Sequence, residues 1–348
     1  MLKLLLIFSI SLHLNATVPS SNHESDLSSY ELFEQKDTAP KIKTKKIGPN
    51  QIGFTIAIEK DKKIMKINVP IFENKELGIV SNGAIQTLKD VCSNTNEIKL
   101  KAKFENKFAN IHKNGKVHTS EIQLKCGEYK MIILQEKSTL GEVFRIWDIV
   151  KRSWYKFANT QLTGFWKKQI KIHWPSNGDY YTGGTVHITK GYQWDVVAHE
   201  LGHAIYALAR VGSSGGGRHK IDECYTKNLA LSEGWASFFG AWVMLSTRAT
   251  DAKFEYLVPR RAPIRIEHIP SDVCKGQTNE WRVTGFLWDL LDHNEDNESI
   301  RISFKSLWKV FLNGGHRDTR SIAKKLIEKG NDPVLMNVVW ENNFLTQL

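Results

Sequence analysis

The residues best placed to do chemistry lie mid-chain: His199, Glu200 and His203, in the order H-E-x-x-H. On a helix of 3.6 residues per turn, the two histidines sit one turn apart on one face and can bind a single metal ion. Glu200 stands about 100° round the helix from His199, where its carboxylate reaches a water on the metal without being a ligand. Imidazole nitrogen suits Zn²⁺, and zinc with three protein ligands keeps a fourth position for water. The ion lowers that water's pKa towards neutrality and polarises a substrate carbonyl, while a nearby carboxylate takes the proton. The flanks are apolar (Val196, Val197 and Ala198 before, Ala204, Ile205, Ala207 and Leu208 after), so this helix belongs in a core. Histidines and a glutamate facing an interior need partners, and a metal supplies one.

Two histidines require a third ligand. The continuation H-x-x-G-x-x-H is absent, because Tyr206 and Ala209 occupy its glycine and histidine positions. The other common solution is a glutamate on a following helix. Residues 228–239 read NLALSEGWASFF, and Glu233 is the only acidic residue in that apolar helical run, 30 positions after His203. A lone carboxylate in such a helix is costly to bury without a partner.

With these two stretches in hand, a resemblance becomes specific. DVVAHELGHA at 195–204 resembles the active-site helix of thermolysin-like metallopeptidases, and LSEGWASFF at 231–239 is similar to the G-E-G-W-S-D-F ligand helix of fungalysin-type relatives. Both belong to the gluzincins, zinc peptidases with a His, His, Glu ligand set. The resemblance covers roughly residues 180–295, a third of the chain. It implies His199, His203 and Glu233 as ligands of one Zn²⁺, Glu200 as general base, and a peptide or protein substrate. Such families place an aspartate four residues after the ligand glutamate to orient the first histidine, and Ser237 stands there in this chain. They also carry an oxyanion-stabilising histidine before a late helix, where Gln277 stands here. His219, Tyr225 and Arg282 are the candidates for that stabilising role.

The elements that must position these groups follow from periodicity. Residues 140–159 turn helical (Val143, Ile146, Trp147, Ile149, Val150, Trp154, Phe157) and open a catalytic domain at 138–348. Residues 169–175 read as a strand ended by Pro175. Residues 185–189, just ahead of the metal helix, read as a strand on the cleft edge, where an extended substrate could pair. Trp166, Trp174, Tyr180, Tyr181, Tyr192 and Trp194 crowd this region and mainly serve packing. The metal helix is expected to end near Gly212, as a C′ glycine, followed by a flexible Ser213–Gly217 loop. Further helices are expected over 279–292, 304–312, 320–329 and 333–344, the last with Asp332 as N-cap and Pro333 at N1.

The N-terminal part has a different character. Residues 1–16 hold Lys3, an apolar run and Leu14-Asn15-Ala16, the arrangement of a signal peptide cleaved after Ala16. No later stretch reaches the 18 apolar residues a membrane span needs. A polar linker at 17–40 leads to residues 41–137, where runs such as Phe54 to Ile58 and Ile122 to Cys126 alternate as half-buried strands. That module carries nineteen lysines, no arginine and ten acidic residues, so it holds nine of the chain's eleven excess positive charges. Lysines alternating on strands first of all make a solvated face and blunt sheet edges. The same charge could hold an anionic glycan, lipopolysaccharide or a membrane surface. The module could also be a propeptide. Four cysteines, Cys92, Cys126, Cys224 and Cys274, suit an oxidising compartment. Three pairings are open, with Cys92–Cys126 and Cys224–Cys274 the simplest.

The expected protein is therefore α+β: an N-terminal antiparallel β module, then a two-lobed zincin-like (thermolysin-like) metallopeptidase domain. It is expected to be secreted or periplasmic, without a transmembrane segment or a nucleic-acid motif. The rival is a non-catalytic zincin-fold binding protein that holds an anionic surface through its basic module. Ser237 and Gln277 favour the rival, and an intact Glu200 opposes it.

Overall fold

The computed structural model describes residues 40–46, 52–67, 72–74, 78–80, 92, 96–213, 215–294 and 299–348. The expected signal peptide and all but the last residue of the linker lie outside the described residues. Ten strands come first: β1 (Lys41–Lys46), β2 (Gly53–Lys60), β3 (Lys63–Lys66), β4 (Phe72–Asn74), β5 (Gly78–Val80), β6 (Glu97–Lys103), β7 (Ala109–Lys113), β8 (Lys116–Val117), β9 (Thr119–Lys125) and β10 (Glu128–Gln135). The long helix α1 (Thr139–Asn159) follows, capped by the Ser138 side chain. Next come β11 (Ile170–His173), β12 (Tyr180–Thr182), β13 (Thr185–His187), α2 (Trp194–Ala209) and α3 (Lys227–Met244). A small hairpin, β14 (Lys253–Phe254) with β15 (Ile264–Arg265), precedes α4 (Glu280–Asp289), α5 (Phe304–Phe311), α6 (Thr319–Glu328) and α7 (Pro333–Phe344). The architecture is mixed α+β.

Three larger sheets form, and they do not follow the division expected at residue 137. The first runs β1-β10-β2-β3, with β10 parallel to β2, so the N-terminal region is not purely antiparallel. The second runs β5-β4-β6-β9, antiparallel throughout. The third runs β12-β13-β11-β7-β8 and joins both halves of the chain. Within it, β7 lies parallel to β11, with Ile111 beside Ile172 in the register. Asn114 (φ 51°) and Gly115 (φ 77°) turn β7 into β8, both in the left-handed conformations that a two-residue hairpin loop demands. Residues 41–137 thus share a sheet with the part of the chain expected to be catalytic, through β7 beside β11.

Burial explains this merger. Ala109, Ile111, Ile170, Ile172 and Val186 are all buried on one face of the third sheet, and α1 packs against β7 and β10. Phe104 meets Phe144 and Trp147 of α1 edge to face. The buried apolar residues from Ile52 to Phe344 form one connected cluster. On the far side of the cluster, α4 packs on α3 and α7. Two disulfides are present, Cys92–Cys126 and Cys224–Cys274. Among the described residues, no helix is long and apolar enough to cross a membrane.

Two local expectations are overturned. β13 is not an edge: it pairs with β11 on one side and with β12 on the other, so β12 is the terminal strand beside α2. A three-residue hairpin strand is too short to announce itself by alternation. Helix α2 ends at Ala209, and the left-handed capping residue is Arg210 (φ 52°), not Gly212. Gly212 serves a different need. It pairs with His316, and a Cβ there would lie 2.3 Å from both the His316 carbonyl oxygen and the Tyr206 hydroxyl.

A candidate metal centre between α2 and α3

Helix α2 is anchored before it reaches the site. Asp195, buried in its first turn, accepts hydrogen bonds from the backbone N–H groups of Val196, Glu255, Tyr256 and Leu257. Helix α3 crosses it closely because glycine stands at the contact: a Cβ on Gly202 would lie 2.8 Å from the Ala236 carbonyl oxygen and 2.9 Å from its Cα. On the other side of α3, a Cβ on Gly234 would meet the Val283 side chain at 2.5 Å and the Glu280 carbonyl oxygen at 2.7 Å. Small residues thus let three helices converge on one point.

That point is polar. His203 Nε2 lies 3.0 Å from His199 Nε2 and 3.1 Å from Glu233 Oε2, and His199 Nε2 lies 3.2 Å from the same oxygen. All three side chains are buried. A near-equilateral triangle of donors with this spacing is what three ligands about 2.0–2.2 Å from one zinc ion present. The second oxygen, Glu233 Oε1, is buried without a hydrogen-bond partner. Two imidazole nitrogens and one carboxylate are a zinc donor set, so the residues fit the ion that their spacing predicts. His199 Nδ1 lies 2.9 Å from Ser237 Oγ, one turn beyond Glu233 on α3. The serine that stands at the expected aspartate position therefore still meets the first histidine.

The electrostatics agree with a cation there. Burial lowers the His199 imidazole to about 4, so it is neutral and able to ligate at ordinary pH. Burial raises the Glu200 carboxyl well above the usual carboxylate range, reinforced by the negative Glu233 and Asp179. Burial also pushes Glu233 upward, but His203, His219 and the hydrogen bonds from His199 and His203 outweigh it and hold that carboxyl well below its usual range. A positive ion among these groups would favour the charged form of both carboxylates.

The three candidate stabilisers separate. His219 is buried against the centre, its Nε2 3.6 Å from Glu233 Oε2 and its Nδ1 2.7 Å from Glu280 Oε2. Tyr225 faces elsewhere: its hydroxyl donates to Glu223 and accepts from the Lys220 N–H, bracing the loop that carries His219. Arg282 is engaged with backbone: its guanidinium donates to the carbonyl oxygens of Val273, Cys274 and Asn343. The expected flexible loop after α2 is also constrained, since Gly215 packs so tightly on Leu229 that a Cβ would lie 2.4 Å from its Cα.

Glu280 is the site residue that sequence reasoning missed. As the first residue of α4, after the Asn279 cap, it looks like an ordinary acidic N-terminal residue. Only its burial beside His219 marks it. Residues 150–318, just under half of the chain, match the mycolysin C-terminal domain, and this span holds His199, Glu200, His203, His219, Glu233, Ser237 and Glu280. No curated protein matches the chain.

Proposed function

We propose that this chain is an exported zinc metallopeptidase that cleaves internal peptide bonds. The observation that carries the reading is the buried donor triangle of His199, His203 and Glu233, with Glu200 on the turn between the two histidines. The match to the mycolysin C-terminal domain supports a protease relation, and the two disulfides suit an oxidising compartment. His199, His203 and Glu233 would hold the zinc, which when bound supplies Lewis acidity towards water and a peptide carbonyl. Glu200 takes a proton from the attacking water and hands it to the leaving amine. β12, the terminal strand against α2, is the backbone edge on which an extended substrate would lie, with Tyr180 and Tyr181 half-exposed along it. The two lobes of a zincin correspond in this reading to the third sheet with α1 and α2, and to the helical part from α3 onward.

The experiment is a pair of variants. Glu200→Gln removes the base and keeps the volume, so zinc content should stay at one per chain while peptide hydrolysis falls by about 10²-fold or more. Glu233→Ala should lose both zinc and activity. Wild type that binds zinc but cleaves nothing in a diverse peptide pool would leave the rival, a binding protein on the zincin fold. The lysines of β1 (Lys41, Lys43, Lys45, Lys46) and β3 (Lys63, Lys66) are exposed on one sheet and would serve it as an anion-binding face.

A further inference from the structure

We infer that His219 and Glu280 act as a positioning pair for the ligand carboxylate Glu233, a role that rests on the zinc reading above. Glu280 Oε2 meets His219 Nδ1 at 2.7 Å and so turns the opposite ring nitrogen, Nε2, towards Glu233 Oε2 at 3.6 Å. The imidazole stands between two carboxylates that would otherwise face each other across a buried space. All three side chains are more than nine-tenths buried. A glutamate on a helix has several rotamers available. With its Nε2 3.6 Å from the metal-facing oxygen, beyond hydrogen-bond length, the imidazole acts by packing and electrostatics to favour the rotamer that completes the triangle.

The surrounding chain is built to hold this pair. The loop carrying His219 is tied four times to the start of α4 and the segment ahead of it. Asn279 Nδ2 donates to the carbonyl oxygens of Ile221 and Glu223, Tyr225 N–H donates to the Thr278 carbonyl, and Cys224 is bonded to Cys274. Gly234, next to the ligand, admits the first turn of α4 against α3, and Thr284 Oγ1 bonds the Gly234 carbonyl oxygen. Ligand, histidine and carboxylate therefore come from three segments locked into one block. Arg282, through the Val273, Cys274 and Asn343 carbonyl oxygens, and Tyr225, through Lys220 and Glu223, fasten that block as well.

Zinc affinity tests this without recourse to catalysis. Full-length wild type, His219→Gln, Glu280→Gln and the double variant would be titrated with zinc against a chromophoric chelator, with total zinc per chain measured in parallel. Each single variant should bind zinc 10- to 100-fold more weakly. The double variant should be no weaker than the worse single one, because both residues act through one contact. Cobalt in place of zinc should give a visible absorption spectrum altered in all three variants. Glu280→Asp should recover part of the affinity by returning a carboxylate. Melting of the chelator-treated proteins should be alike, which excludes a merely structural effect. Unchanged affinity, additive losses, or a lower melt of the chelated variants would overturn the inference. Two zinc ions per wild-type chain, falling to one in His219→Gln, would also overturn it and make these residues ligands of a second ion. Wild type that binds zinc and cleaves no peptide would refute the peptidase reading while leaving this one standing.

Discussion

At the scale of single residues, the centre depends on the tautomer of His199. If Nε2 is to face the metal as a lone pair, Nδ1 must carry the proton, and Ser237 Oγ at 2.9 Å is there to accept it. A hydroxyl does this with a neutral hydrogen bond, where an aspartate would make a charge-assisted one roughly twice as strong. Ser237→Ala should therefore weaken zinc binding by about 10-fold, the low end of the loss usual for such outer partners. A chelator-competition titration checks this, and an unchanged affinity would show that ring orientation comes from packing alone. The same pairing answers the objection that the missing aspartate raised. The position is still used, by a weaker group.

At the scale of elements, the geometry of the centre is a matter of how near α2 and α3 can come. Gly202 lies between His199 and His203 and faces the α3 backbone at Ala236. A methyl at this position has only backbone to push against, and backbone does not yield by a change of rotamer. Gly202→Ala should destabilise the fold by about 1–3 kcal/mol, the usual result of overpacking, and separate the histidines from Glu233. Thermal melting and zinc content should fall together. A variant that melts like wild type and keeps its zinc would show that the helices can slide apart at no cost. Hydropathy alone does not foresee this, since a glycine inside H-E-L-G-H reads only as a weak helix former.

At the scale of the whole molecule, charged clasps close the face around the second disulfide. Asp222 takes a bidentate contact from Arg260, and Arg261 reaches Asp272 on the neighbouring segment. The hydrogen bonds from Arg260, assisted by the charge of Arg261, lower the Asp222 carboxyl to about 2. A folded pKa below the unfolded value of about 3.9 means stability that is present above pH 4 and lost as the pH falls towards 2. Wild type should then melt higher than Asp222→Asn at pH 5–7, and the gap should close between about pH 4 and 2. The clasp is partly exposed, so salt should narrow the gap as well. A gap that widens in acid would refute the assignment.

What the chain determined by itself was local. H-E-x-x-H on an apolar helix, a lone glutamate on the next, the helix run of the second half and the Asp332-Pro333 start of α7 are all readable, because helical side chains meet at fixed spacings along one segment. What only the tertiary structure decided was non-local. That β7 lies beside β11 and that Glu280 stands behind His219 each depend on segments tens of residues apart. A parallel strand pair leaves no turn in the sequence to betray it. A buried carboxylate looks like a surface one until its neighbours are known, because its chemistry is set by what covers it rather than by what precedes it.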